Sequence, residues 1–293
     1  MHSFLAIGLG ELLWDVLPEG RKLGGAPANF AYHVNALGSV GVPVSRVGDD
    51  DLGREALAEL SGRGVSTQAI SVDADHPTGT VDARVDEQGV ASYIFPDNVA
   101  WDFLSFGTKT LDLAVRADAI CFGSLAQRSR ISRDAIQAFL HGGSDALKVY
   151  DMNIRKNFYS LEIIRMSLSL ADVLKINEDE LALVAEMFSL PSGEREALAA
   201  LMAAHGLKLA VLTRGAHGSL IVSADQMSDL PGQPTAVVDT IGAGDSFTAA
   251  VAVAYLHGKS LDEINRYATE VAAYVCGQPG AMPKMPQMLK LRD

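Results

Sequence analysis

The sequence predicts a three-layer α/β sandwich: a mainly parallel central sheet covered by helices on both faces, with a small β-sheet projecting from it as a lid. Three observations carry this prediction. Short apolar runs rich in Val, Ile and Leu alternate with longer stretches of helical periodicity, the rhythm of βαβ crossovers. The spacing of helices after strands implies a sheet buried on both sides. One stretch, from Thr80 to Phe95, breaks this rhythm and alternates apolar and polar residues around Gln88-Gly89, as a hairpin does.

In chain order, Leu5–Gly8 reads as the first core strand. Leu12–Leu17, closed by Pro18-Glu-Gly20, reads as a short strand and turn of the small sheet. Gly24-Gly25 forms a turn, and Pro27 in a first helical turn opens the helix Pro27–Leu37. Strand Val42–Val47 leads to helix Gly53–Gly62, and the hairpin follows. Lid strands are therefore expected at about 11–24 and 78–100, inserted in a single domain spanning 1–293. Beyond the hairpin, strands Ala119–Phe122, Lys148–Asp151, Val173–Ile176, Leu209–Thr213 and Ser219–Val222 alternate with helices Arg133–Leu140, Glu178–Met187 and Glu194–Ala204. The apolar helix Asp245–Leu256 follows, and a Pro-rich tail begins after Gln278.

Composition excludes several classes of function. There are 24 Lys+Arg against 36 Asp+Glu, a formal charge of −12, and no run of five basic residues, so a nucleic-acid-binding face is not expected. Apolar residues make up 48% and charged residues 20%, an ordinary globular mix. Cys121 and Cys276 lie far apart with no metal or redox spacing and are expected as reduced thiols. The N-terminus lacks a basic region, Glu11 and Asp15 interrupt its apolar run, and Phe247–Leu256 falls short of the ~18 residues needed to cross a bilayer. A cytoplasmic protein without membrane contact is the expectation.

Chemistry concentrates at Asp239-Thr-Ile-Gly-Ala-Gly-Asp245, directly before the apolar helix. Two glycines opening a helix let backbone N–H groups converge, and the helix N-terminus adds about half a positive charge, which together make an anion hole at Gly242, Ala243 and Gly244. A carboxylate in such a place repels an anionic ligand, yet suits a base that takes a proton from an attacking hydroxyl. Asp245 fits that role, and it equally fits an ordinary helix N-cap. Gly24-Gly-Ala-Pro-Ala-Asn29 offers a close backbone approach and, at Asn29, a donor and an acceptor that suit polyol hydroxyls; the same stretch also reads as a plain helix start. Walker-type, dinucleotide and serine-nucleophile motifs are absent, and the seven histidines show no zinc spacing.

The two glycine-rich motifs together resemble the paired signatures of the PfkB family of carbohydrate kinases, which have the ribokinase-like fold. Between them, Val47-Gly-Asp-Asp-Asp-Leu-Gly53 is similar to the family's strand-to-helix segment, Asn177-Glu-Asp-Glu180 to its Asn-x-x-Glu motif, and Thr213-Arg-Gly-Ala-His-Gly218 to its nucleotide loop. Gly10-Glu-Leu-Leu-Trp-Asp15, Asp151-Met-Asn-Ile-Arg155 and Gly280-Ala-Met-Pro-Lys-Met-Pro286 most resemble fructokinases.

The resemblance implies ATP-dependent phosphorylation of a sugar hydroxymethyl group, with fructose first among the acceptors. Ribose, 2-keto-3-deoxygluconate, a nucleoside, or a sugar-binding regulator without turnover stay open. It implies Asp245 as base, the Gly242, Ala243 and Gly244 amides as anion hole, and Arg155 as a cation on the transferred group. Asp15, Gly24, Gly25 and Asn29 would hold the sugar, and Thr213, Gly215 and Gly218 the nucleotide. Asn177 and Glu180 would organise Mg²⁺ through water; as residues alone they also match a capping box. Asp239, Ile241 and the segment 275–284 correspond to a K⁺ cage. Lys284 stands there in place of a small residue; its ammonium either reaches back to the cage, replacing the ion and leaving weak K⁺ dependence, or swings into solvent, whereas Arg21 and Lys22 are expected to be solvated. A homodimer through the lid is a further expectation. Asn157-Phe-Tyr159 replaces the Leu-Trp common in fructokinases, and Thr269 replaces an Asn near the adenine, so sugar and base preference stay open.

Overall fold

The computed structural model of the chain describes residues 3–17, 20–85 and 91–291. Its first strand, β1 (Leu5–Leu9), shows how the layers arise. Ala6 points to one helical layer and Ile7 to the other, and both are fully buried, so the run must be apolar on both faces. The same alternation recurs in β8 (Ala119–Phe122), where Ala119 and Cys121 face one side and Ile120 and Phe122 the other.

The remaining strands are β2 (Leu13–Leu17), β3 (Gly20–Gly24), β4 (Val40–Gly48), β5 (Ile70–Asp73), β6 (Gly79–Val85), β7 (Ala91–Ile94), β9 (Leu147–Asp151), β10 (Val173–Asn177), β11 (Leu209–Thr213), β12 (Ser219–Val222) and β13 (Met227–Leu230). Among the described residues the main sheet has the order β13-β12-β11-β10-β9-β8-β1-β4-β5. Every neighbouring pair is parallel except β11–β12 and β12–β13, which form an antiparallel edge.

Helices α1 (Ala26–Ala36), α8 (Ala243–Leu256) and α9 (Leu261–Cys276) cover one face, packing Phe30, Phe247 and Ile264 on Cys121, Val149 and Val211. Helices α3 (Thr108–Arg116), α4 (Arg130–Gly142), α5 (Leu161–Leu170), α6 (Glu178–Phe188) and α7 (Glu194–His205) cover the other, packing Phe139, Ile164, Val184 and Leu198 on Ile120, Leu174 and Leu212. No helix among the described residues is long and apolar enough to cross a membrane.

A second sheet has the order β3-β2-β6-β7, in which the antiparallel pairs β2–β3 and β6–β7 meet through parallel β2–β6. Trp14 and Leu23 of this sheet pack on Ala56 and Leu60 of α2 (Asp51–Gly62), which ties it to the main body. Most of the expected turn at Pro18-Glu-Gly20 and all of Gln88-Gly89 lie outside the described residues.

Several boundaries differ from the sequence reading. Helices α3, α5 and α9 and strands β5 and β13 were not anticipated; β13 carries Ser228 and Asp229 and lacks an apolar run. Helix α8 starts at Ala243 rather than Asp245, because Gly242, at φ 77°, takes the left-handed cap position that other residues rarely adopt.

Candidate active site

The chemistry-bearing residues gather where β1, β9, β10 and β11 end. Gly10 follows β1, Asp151 closes β9, Asn177 closes β10 and Thr213 closes β11, with Asn177 and Thr213 directly paired in register. Ligands of open α/β sheets bind outside these carboxyl ends.

Gly242 caps α8 with no side-chain bond, so Asp245 sits in the first turn and is not the N-cap that its residue type allowed. Of the expected amide cluster, the Ala243 N–H donates to the Thr240 carbonyl at 3.3 Å; those of Gly242, Gly244 and Asp245 have no acceptor among the described residues. The loop keeps this shape because Gly242 lies against Ala281: a Cβ there would sit 2.6 Å from the Ala281 carbonyl oxygen. Ala281, Met282 and Pro283 are in turn anchored through their carbonyls, which accept from His33, Arg63 and Tyr32 at 2.9, 2.9 and 2.7 Å.

Asn29, in the first turns of α1, donates from Nδ2 to Asp245 Oδ2 at 2.7 Å. Its Oδ1 is buried with no partner among the described residues. Gly25, the cap of α1 at φ 111°, comes so close to the chain after β1 that a Cβ would meet the Glu11 carbonyl at 2.5 Å. Asp15 on β2 reaches across to Gly24, where a Cβ would lie 2.6 Å from its Oδ2. Thus Asn29 and Asp245 meet between α1 and α8, Gly25 meets the chain after β1, and Asp15 meets Gly24 across the small sheet.

Burial pushes the Asp245 carboxyl up to about 6; the nearby Asp151 charge adds to this, while the Asn29 bond, Lys175 and Arg155 oppose it. Burial also raises Asp15, against the pull of Arg155 and Lys22. Arg155, exposed in the loop after β9, therefore acts electrostatically on both Asp15 and Asp245.

Beneath the glycine-rich loop lies a polar cluster that the sequence reading missed. Lys175 Nζ donates to Asp151 Oδ1 at 3.1 Å, Thr248 Oγ1 donates to Asp151 Oδ2 at 2.7 Å, and a Cβ on Gly244 would lie 3.3 Å from Lys175 Nζ. Burial lowers the Lys175 ammonium, but Asp151, Glu180 and Asp245 outweigh it and the net direction is up. A buried pair missing one partner leaves an uncompensated charge. The available signal was a lysine inside the otherwise apolar run of β10.

Asn177 and Glu180 form the reciprocal capping box: Asn177 Oδ1 accepts from the Glu180 amide and Glu180 Oε2 from the Asn177 amide, both at 2.9 Å. Glu180 Oε1 also accepts from the Ile154 amide at 2.8 Å, tying α6 to the loop carrying Arg155. The Thr213 hydroxyl donates to the Ile176 carbonyl at 3.4 Å, and Gly215 and Gly218 bracket the turn between β11 and β12. Arg214 braces that turn on Glu194 and Asp229. Thr269 is buried with Ser219 and Asn265, stitching α9 to β12.

Between its two fates Lys284 takes the exposed one, and the expectation for Arg21 and Lys22 is corrected. Lys284 is exposed, and among the described residues only its carbonyl is engaged, accepting from the Tyr274 hydroxyl. The ammonium near Asp239 is Lys22, at 3.4 Å, and Arg21 pairs with Glu55 at 2.9 Å, so neither is simply solvated. The reason is topological: β3 runs past both α2 and the loop before α8. Asp239 also accepts from the Ile241 and Gly280 amides, and these contacts outweigh its burial and lower its carboxyl. Both cysteines are free; Cys121 is buried and Cys276 half-buried.

Comparison with known proteins agrees with the fold. The pfkB family carbohydrate kinase profile matches residues 19–288. The fructokinase of Escherichia coli is 30% identical over 298 residues, covering 95% of each chain. An uncharacterized sugar kinase from Pyrococcus horikoshii, solved in complex with ATP, superposes with a TM-score of 0.79 at 27% identity, over 95% of this chain and 94% of that one. A fructokinase of Xylella fastidiosa with bound ATP shares the fold, with a TM-score of 0.84 at 22% identity over 97% and 95%. A family match over nearly the whole chain, together with a carboxylate set among glycine amides at a helix start, places the protein in the pfkB family of carbohydrate kinases, as an ATP-dependent sugar kinase.

Proposed function

We propose that the enzyme phosphorylates a hydroxymethyl group of fructose, with ATP as donor and Asp245 as general base. The observation that carries the reading is the Asn29–Asp245 contact. It aims one carboxylate oxygen beside a buried amide oxygen that has no partner among the described residues, at the mouth of unengaged amides. A sugar hydroxyl placed there donates to Asn29 Oδ1 or Asp245 while its neighbour attacks. The Gly242 and Gly244 amides, with Ala243 held between them, receive the charge of the transferred phosphoryl group.

In the reaction the hydroxyl oxygen bonds to the γ-phosphorus, the bond to the β-phosphate oxygen breaks and ADP departs. The hydroxyl proton passes to Asp245. Arg155 supplies a positive charge on the solvent side, in keeping with its effect on Asp15 and Asp245. Asp15, Gly24 and Gly25 complete the sugar pocket, and Thr213, Gly215 and Gly218 border the nucleotide.

Glu180 fits a role toward Mg²⁺ through water: its burial raises its carboxyl, Lys175 offsets this only in part, and each oxygen accepts a single described N–H. A hydrated Mg²⁺ neutralises phosphate charge. Asn177 holds that carboxylate by the capping box. Asp239 is occupied by Lys22, so a monovalent cation has a protein ammonium as competitor. The small sheet acts as a lid over the sugar, and its outer face is the surface for a homodimer. Fructose as acceptor draws support from the fructokinase relative and from the Gly10-to-Asp15 segment that supplies Asp15.

A coupled assay of ADP release over a panel of ketoses, aldoses, 2-keto-3-deoxygluconate and nucleosides tests this. The highest kcat/KM is expected with fructose. Preference for another acceptor reassigns the sugar, and no turnover with any of them contradicts the proposal.

A further inference from the structure

A buried carboxyl that the proposed mechanism does not use lies next to the base. Glu11, in the segment between β1 and β2, is 3% exposed, and its Oε2 has no hydrogen-bond partner among the described residues. It lines a small cavity of about 10 Å³ together with Asp245, Asp151, Cys121 and the start of α1. Three carboxyls thus border a space with room for about one water.

They are not equivalent. Asp151 accepts on Oδ1 from Lys175 Nζ and on Oδ2 from Thr248 Oγ1, so both of its oxygens are engaged. Asp245 accepts from Asn29 and sits in the first turn of α8, where the helix dipole favours negative charge. Glu11 has only its own and the Ala26 backbone N–H on its side, and an unpartnered oxygen buried from water favours the neutral acid. We propose that Glu11 is a positioning residue for the base: it keeps a proton in the cavity it shares with Asp245, so that Asp245 alone of the two is ionised and available to take the sugar proton. This rests on the reading of Asp245 as base.

The charges facing Glu11 can be named element by element. Asp245 comes from α8, Asp151 from β9 with Lys175 of β10 behind it, Arg155 from the loop after β9, and Cys121 from β8, whose thiol burial and the neighbouring carboxylates keep neutral. Burial, with the Asp245 charge added and with the two amides and Arg155 opposing, brings the Glu11 carboxyl up to about 7. Asp245, which accepts from Asn29 and stands at the start of α8, ionises first. Above neutrality Glu11 also ionises, and a second negative charge then stands beside the path of an anionic phosphoryl group. The structure therefore predicts a fall in rate on the alkaline side that belongs to Glu11.

Glu11→Gln keeps the shape and the amide donor but cannot titrate. For the wild type, kcat/KM should rise as pH passes about 6 and decline above about 7, whereas E11Q should show the same rise and no decline. An unchanged decline in E11Q would overturn the proposal. A second measurement needs no turnover: infrared titration of the protonated-carboxyl C=O band in wild type, E11Q and Asp245→Asn. The band assigned by its absence from E11Q should fade near pH 7 in the wild type, and at lower pH in D245N, where the Asp245 charge that favours the Glu11 proton is gone. A wild-type spectrum with no band titrating near pH 7 overturns the proposal even if E11Q fails to fold. The failure of Asp245 as base would show separately, as retained turnover in D245N whatever the Glu11 band does.

Discussion

Asn29 Nδ2 stands 2.7 Å from Asp245 Oδ2, joining the first turns of α1 and α8 across 216 residues of sequence. Those two turns carry the two glycine-rich motifs, so a single hydrogen bond joins the proposed sugar side of the site to its proposed phosphoryl side.

Removing that bond has a defined sign. The Asn29 amide is one of the groups that hold the Asp245 carboxyl down. Asn29→Ala should therefore raise it, move the acidic limb of kcat/KM to higher pH, and lower kcat/KM by roughly 10–100-fold, the worth of one hydrogen bond to a charged group at about 1.5–3 kcal/mol. A pH–rate profile of N29A whose limb stays where the wild type has it contradicts the assignment.

The proposed base also costs stability. Folding raises Asp245 from 3.8 to about 6, which disfavours the charged form in the native state. The penalty is present in full above about pH 6, shrinks as pH falls through that value and vanishes near the unfolded value. Asp245→Asn should thus stabilise the protein at pH 8 by about 1–3 kcal/mol, with the gain diminishing steadily toward pH 4. Thermal melts of both proteins across that range check the trend; equal melting temperatures at pH 8 contradict it.

Much of this architecture was legible in the residues. β1 and β8 read as strands because they are buried on both faces, and α1 because Gly24-Gly25 and Pro27 mark its start. Helix α9 carried the right signals and went unread: Ser260 and Glu263 form a capping box, and Leu261, Ile264, Ala268, Val271 and Val275 are buried at helical spacing. What local pattern could not reveal is pairing across the fold. Nothing near Lys22 in sequence points to Asp239, 217 residues away, and Lys284, near Asp239 in motif, makes no ion pair with it among the described residues. Glu11 reads as an interruption of an apolar run and Lys175 lies inside one, and it is the sheet that places them beside Asp245 and Asp151.

The Lys22–Asp239 pair leads to an expectation about monovalent cations. With an ammonium at 3.4 Å, the loop before α8 has its counter-charge already, and the enzyme should depend weakly on K⁺. Lys22→Met should become K⁺-activated, whereas Lys284→Ala should not change. Initial rates in K⁺, Na⁺ and a bulky organic cation at equal ionic strength decide this. Strong K⁺ activation of the wild type contradicts it.

The small sheet is expected to close on sugar. ATP hydrolysis without sugar should be slow, since the site is completed only when the lid closes on sugar, and that same closure shuts water out. Sugar should slow hydrogen exchange in β2, β3, β6 and β7 but not in β8 or β9. Exchange unchanged in both hairpins contradicts a lid.

The most direct test of the central claim is steady-state turnover of Asp245→Asn with the best acceptor, measured beside its affinity for ATP. The account predicts unchanged ATP binding and a loss of roughly 10²–10⁴ in kcat, the scale for removing a general base. A D245N enzyme that turns over within a few-fold of wild type, at about the same ATP affinity, would contradict it.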